Sequence, residues 1–186
     1  MGAVRYFRLT AASAVATLAL ALPAWAQPMA EPAIRAAFLY NFAKFTQWPA
    51  DSLPAGAPMT LCVMGDGAVA GTLKQLAAGH PIDGHDVRVV AMTADGALRS
   101  CQILYVAGND PQRDSDILGP LRAAPVLTVG DTPRFAVAGG VARVFVDNGR
   151  MRFAVNMDAM QRTRLHISSK VLALGLVVKD DGDGTH

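Results

Sequence analysis

The chain has 186 residues, 52% of them apolar and 17% charged, with 17 Lys and Arg against 15 Asp and Glu. That balance excludes a disordered chain, which needs low hydropathy and high net charge, and leaves no basic stripe for nucleic acid. Arg5 and Arg8 carry the whole positive excess, so the chain beyond them is near neutral.

Those two arginines open a targeting segment. An apolar run from Leu9 to Leu22 follows, then Pro23 and Ala24-Trp25-Ala26 before Gln27. A positive start, a short apolar centre and small residues two apart describe a secretory signal peptide over residues 1–26. The run is short for a membrane span; a retained N-terminal anchor is the competing reading. Export through this signal predicts a periplasmic protein. What remains is long enough for one domain, residues 27–180. The polar, Gly-containing end that starts at Lys179 leaves 181–186 as a frayed tail.

The most aromatic stretch is AIRAAFLYNFAKFTQWP, Ala33 to Pro49. Ile34, Phe38, Phe42 and Phe45 recur at helical spacing, with Leu39 widening the stripe and Arg35 and Lys44 elsewhere on the wheel. Pro49 ends the pattern, because the residue before a proline is pushed out of helical geometry. Trp48 then sits at the helix exit, where its ring can border a groove. Met59 to Gly65 reads as a buried strand, and Asp66 as the cap of a helix turning Val69, Leu73 and Leu76 inward. Val87 to Met92 is a strand near a sheet edge, since Arg88 interrupts it. Cys101 to Ala107 and Pro125 to Val129 are further buried strands, with a short helix from Ile117 to Arg122 between them.

The clearest local signal comes next. Val141 to Asp147 and Arg150 to Asn156 flank Asn148-Gly149, and Asn-Gly between two alternating runs is a two-residue hairpin turn. Val144, Val146, Met151, Phe153 and Val155 are its candidate inward residues. Asn156 can cap a helix through Gln161, and Ser168 a final helix carrying Val171, Leu172, Leu174 and Leu176. The expected fold is α/β: a single mixed β-sheet flanked by helices, with a C-terminal β-hairpin and two terminal helices.

Reactive groupings are sparse. Gly65-Asp66-Gly67-Ala68-Val69-Ala70 formally matches G-x-G-x-x-A, but neither Asp86 nor Asp95 supplies the acidic residue that should close the next strand. Hence no cofactor is expected. His80, His85, His166 and His186 show no metal spacing, and the cysteines are too far apart for a CxxC site, so no metal is expected. There is no S-x-x-K and no G-x-S-x-G, and the scattered aspartates lie in turns, so the chain does not read as an enzyme. Cys62 lies inside the first of these strands and Cys101 opens the third. In an exported chain two cysteines are expected to bond, and neighbouring strands in register meet the distance; the alternative is a reduced buried pair.

LYNFAKFTQWP, LCVMGD, CQILYV, PVLTVGD, FAVAGG, GRMRFAVNMDAM and LHISSKVLALG occur here in this order. Together they resemble the YfiR/HmsC family of exported bacterial proteins, over roughly Ile34 to Val178. The resemblance implies a periplasmic repressor without catalytic activity. Such a repressor binds the periplasmic sensor domain of a membrane diguanylate cyclase and lowers cyclic-di-GMP and biofilm formation. It also implies a homodimer and a response to envelope redox state. Cys62 and Cys101 match one cysteine pair of the YfiR type; a second pair, in the later half, is absent. Aromatic and Arg anchors dominate interfaces, which points to Trp48, Arg164, Leu165, His166 and Ile167 as the partner-binding residues. Against this stands the reading that Leu165 and Ile167 are core and Arg164 is solvated. The alternative function is a periplasmic small-molecule binding protein with a pocket near Trp48.

Overall fold

Two apolar faces of one sheet dictate the architecture of the computed structural model, which describes residues 31–108 and 110–180. The expected signal peptide over 1–26 and tail over 181–186 lie outside the described residues. Seven strands run in the order β3-β2-β4-β5-β6-β7-β9. They are β2 (Met59–Met64), β3 (Val87–Ala91), β4 (Ile103–Val106), β5 (Leu127–Gly130), β6 (Ala142–Asp147), β7 (Arg150–Asn156) and β9 (Leu176–Val178). The first five in that order are mutually parallel; β7 runs antiparallel to β6, and β9 parallel to β7.

Side chains alternate across such strands. Leu61, Val63, Ile103, Tyr105, Leu127 and Val129 therefore form a core with α1 (Glu31–Lys44) and α2 (Gly67–Ala77). Cys62, Met64, Leu104 and Val106 form a second core with α3 (Pro111–Leu121). Asp110 caps α3 by accepting from the Gln112 and Arg113 amides, with Pro111 in the first turn, so this helix starts well before the expected Ile117. At α2, Asp66 accepts from Val69 N at 2.9 Å. Its inward row is Val69, Leu73 and Ala77; the expected Leu76 lies one step off that row and is 38% exposed.

The hairpin forms as expected, with Asn148 at φ 49° and Gly149 at φ 72°. Val144, Phe153 and Val155 are buried, Met151 is half-buried, and Val146 near the tip runs out of cover. Phe153 meets the rings of Phe38 and Phe42 edge to face, at 5.8 and 5.3 Å.

Two further expectations change. α1 stops at Lys44, and the next residues form a short strand, β1 (Thr46–Gln47), so Trp48 follows a strand and not a helix exit. The α1 residues that face the core are Ala36, Leu39, Phe42 and Ala43; Phe38 is half-buried and Phe45 is exposed. Second, α4 (Met157–Arg162) forms under its Asn156 cap, but the last helix, α5 (Ser169–Leu172), has only one turn. Leu176 belongs to β9, because Ala154 to Asn156 of β7 offer Leu176 to Val178 a strand to pair with. The described chain is anchored as far as Asp180: its carboxylate takes Arg162 at 2.5 Å and the Asn156 side-chain amide at 2.6 Å. Burial alone would raise the Asp180 pKa, but the hydrogen bonds from Arg162 and Asn156 and the Arg162 charge outweigh it and hold the carboxyl below its ordinary value.

Cys62 and Cys101 are bonded, with Cα atoms 5.9 Å apart. They are not opposite one another in the sheet. Cys62 pairs in register with Leu104, while Cys101 sits below the strand after a short 3-10 turn, Leu98–Ser100. The bond crosses the second core, with both residues almost wholly buried.

Candidate functional site

β1 and β8 (His166–Ile167) form a separate two-stranded ribbon that gathers the expected site residues. Thr46 pairs with Ile167 and Gln47 with His166, and Ser168 N donates to Phe45 O at 2.8 Å. Thr46 and Ile167 face the core; Gln47 and His166 face out. Leu165 and Ile167 are therefore core residues, 2% and 6% exposed, while Arg164 and His166 stand on the surface. The ribbon brings Arg164 and His166 to the same surface and withholds the Leu165 and Ile167 side chains from it.

Trp48 is fixed by the sheet. Its indole Nε1 donates to Gln102 O at 3.2 Å. Gln102, itself buried, also accepts from Thr60 N at 2.7 Å and donates from Nε2 to Ser52 O at 3.2 Å. One glutamine thus ties the loop after Trp48 to the amino ends of β2 and β4. That loop carries Asp51, whose carboxylate accepts from Arg164 Nη2 at 3.1 Å. Both partners are more than half exposed, so the pair contributes within about 1 kcal/mol.

Arg164 is unusual in its backbone. Its φ is +58°, directly after α4 and its last capping residue Thr163. Helices commonly end on a left-handed residue, but that residue is usually glycine, because a Cβ there costs about 1–2 kcal/mol. An arginine holds this strained position while making only a weak surface pair.

The opposite end of the sheet holds a polar cluster that the pattern of the sequence did not reveal. Arg35 of α1 lies on the buried side of its helix, not elsewhere on the wheel. Its Nη1 donates to the Tyr105 hydroxyl at 2.7 Å and to Asp131 Oδ2 at 2.6 Å. The Tyr105 hydroxyl donates to Asp131 Oδ2 at 3.0 Å, and Gly108 N to Asp131 Oδ1 at 3.1 Å. Glu31 completes the shell on Arg35 at 2.5 Å. Burial lowers the Arg35 pKa, but bonds to Glu31 and Tyr105 and the charge of Asp131 raise it further, so it stays charged. Burial and the Asp131 carboxylate push the Tyr105 hydroxyl above its ordinary range, so it stays a phenol. A polar residue at position 105 in an otherwise apolar strand, and an aspartate at the exit of the next, were the available signals. Nearby, buried Asp114 accepts from the Thr132 hydroxyl, and burial raises its pKa despite that bond.

The Gly-x-Gly segment serves packing. A Cβ at Gly65, which has φ +84°, would lie 2.6 Å from Ala107 O, so β2 and β4 close against each other at this point. The Asp66 carboxylate takes the Val69 amide at the start of α2, one of the donors that a phosphate there would need, and its charge would repel one. Among the described residues no group of three His, Cys, Asp or Glu is placed to hold a metal. Nor is any helix among them long and apolar enough to cross a membrane. A groove of about 540 Å³ opens between α1 and β7; Trp48 is not among its lining residues.

A family model described as YfiR/HmsC-like matches residues 32–175. Among solved structures, a conserved domain protein from Vibrio cholerae O1 biovar El Tor superposes with a TM-score of 0.50 at 14% identity, over 70% of this chain and 57% of that one. The ABC domain in complex with L-Trp from Streptococcus pneumonia gives a TM-score of 0.50 at 11% identity, over 77% of this chain and 60% of that one. The chain thus spans 57% and 60% of the lengths of these two structures, and at such identities the likeness bears on the fold alone.

Proposed function

This chain belongs to the YfiR/HmsC-like family, and from that premise we propose that it is a periplasmic, non-catalytic regulator. It binds the periplasmic sensor domain of a membrane diguanylate cyclase and holds it inactive, lowering cyclic-di-GMP and biofilm formation. The buried disulfide fits an oxidising compartment. Family membership further suggests a homodimer, which sedimentation of the purified chain tests directly.

The observation that carries the contact is Arg164. A charged, exposed side chain sits on a left-handed backbone position between a helix and a strand whose neighbours, Leu165 and Ile167, are locked in the core. Strain of this kind, held in place by packing and with only a weak pair in return, is a mark of a functional position. Asp51 pairs with Arg164, and His166 is exposed two residues further on. A repressor works by preferring the inactive state of its partner, and can shift the equilibrium only by that preference. Reversing the charge, Arg164→Glu, should weaken repression and raise cyclic-di-GMP in cells, with the melting temperature within a few degrees of the parent. Unchanged cyclase output from the folded variant would remove Arg164 from the contact.

A further inference from the structure

We propose that the groove between α1 and β7 receives an extended segment of a partner protein, added as a strand along the open edge of β7. That segment carries apolar side chains on one face and acidic side chains on the other. The proposal rests on this chain being a binding protein, but not on the identity of the cyclase.

The groove is lined by four consecutive β7 residues, Arg150, Met151, Arg152 and Phe153. Successive side chains of a strand point to opposite faces, so a cavity resting on one face would meet every second residue. Contact with all four fits a groove that reaches the strand's edge, where backbone groups are offered. Strand pairing agrees. β9 covers β7 only from Ala154 to Asn156, and among the described residues no strand lies beside the outer edge of Arg150 to Arg152. An incoming strand would continue the line of β9 over about three residues, or about 10 Å, because Gly175 already lies against Phe153.

The two faces of that position differ in chemistry. On the α1 side the groove offers Phe38, Phe42, Phe45 and Leu174, of which Phe45 is 41% and Leu174 78% exposed. Met151 and Phe153 point the same way, as the inward set of the hairpin. On the other side stand Arg150 and Arg152, with Asp147 on Arg152 at 3.2 Å. Two guanidiniums against one carboxylate leave a positive edge. An apolar, unpaired edge is a template for another strand, and strand addition draws affinity from main-chain bonds and specificity from alternate side chains. A helix would fill an apolar groove without using the edge of β7.

The test uses the disulfide-bonded mature chain and labelled eight-residue peptides read by fluorescence anisotropy. A peptide alternating valine and glutamate should bind at least tenfold tighter than the same peptide with lysine for glutamate. Methylating alternate backbone nitrogens gives two further peptides. Strand addition predicts that one set abolishes binding and the other does not, because only one edge of the peptide pairs. Leu174→Asp, at an exposed position, should weaken binding at least tenfold without moving the melting temperature, and Arg150→Glu/Arg152→Glu should shift preference to the lysine peptide. Equal binding of both methylated peptides, or of an amphipathic helical peptide, would overturn the proposal. So would a dimer that Leu174→Asp dissociates and that leaves no peptide binding, since the groove would then hold a second copy. No cyclase enters these readouts, so their failure strikes the groove alone, whereas unchanged repression by Arg164→Glu strikes the Arg164 contact.

Discussion

The parallel strands end very differently on their two sides. At the carboxyl ends of β4 and β5, Arg35, Tyr105, Asp131 and the Gly108 amide satisfy one another, and three separate parts of the chain are clamped together. At the amino ends, Trp48 and the loop carrying Asp51 are held from below by Gln102, while Arg164 and His166 stand in solvent. Open α/β sheets usually take their ligands in a crevice at the carboxyl ends, where the strand order reverses. Here the order reverses between β2 and β4, and Gly65 against Ala107 O closes that place. The end that would ordinarily do the binding has been given over to cohesion, and the exposed groups lie at the other end.

Breaking the disulfide that crosses the second core should have the largest effect. Cys62→Ala/Cys101→Ala removes a bond across 39 positions, worth about 4 kcal/mol in the chain-entropy model. Urea unfolding of the double variant checks this; a loss under about 1 kcal/mol would show that the packed second core holds without the bond. Arg35→Met should cost about 2 kcal/mol, as the part-buried Tyr105 hydroxyl and Asp131 carboxylate lose a charged hydrogen-bond partner. If the carboxyl end is cohesion only, repression by the folded fraction of this variant is unchanged. A specific loss of repression at full folding would move function to the clamp and reverse the contrast.

The sequence announced some of this and concealed the rest, for physical reasons. Asn148-Gly149 was readable because both residues need positive φ, a demand few sequences meet. The caps at Asp66, Asn156 and Ser168 were readable because they act locally. The end of α1 was not: Lys44 is its last residue because Thr46 and Gln47 pair with residues some 120 positions later, which no window of sequence contains. Ala36 and Ala43 face the core but carry no strong apolar signal, so the periodicity favours the large residues Ile34 and Phe45. A three-residue strand such as β9 is too short to show a period, and in the sequence it runs on from the apolar pattern of the preceding helix. Of the expected contact residues, Leu165 and Ile167 follow the competing reading, as core side chains, and Arg164 and His166 turn outward. Arg35 was missed because its partners come from two other strands' ends.

A smaller effect concerns the terminal strand, which the Asp180 carboxylate ties to Arg162 and Asn156. Asp180→Asn should cost about 1–2 kcal/mol, as a charge-assisted bond to Arg162 is lost. The sign of its pH dependence follows from the depressed carboxyl. The stabilisation is fully present above the unfolded value, about 3.9, and disappears as pH falls through the lower folded value. Parent and variant should therefore converge in stability only in strong acid. If they converge already near neutrality, the Arg162 bond does not hold the end of the sheet.

The smallest change in stability should accompany a large change in repression, at Arg164. Glycine adopts φ +58° without a Cβ penalty of about 1–2 kcal/mol, but it gives back about 0.5–1 kcal/mol through the freedom of the unfolded chain. The Asp51 pair, exposed on both sides, adds at most about 1 kcal/mol to the loss. Arg164→Gly should therefore stay within about 1 kcal/mol of the parent by denaturant titration, whichever sign prevails. If the side chain is there for a partner, the same variant releases the cyclase as fully as Arg164→Glu. A variant that is clearly destabilised yet still represses would mean that the arginine serves the turn itself, and the amino end of the sheet would then lose its claim to be the functional one.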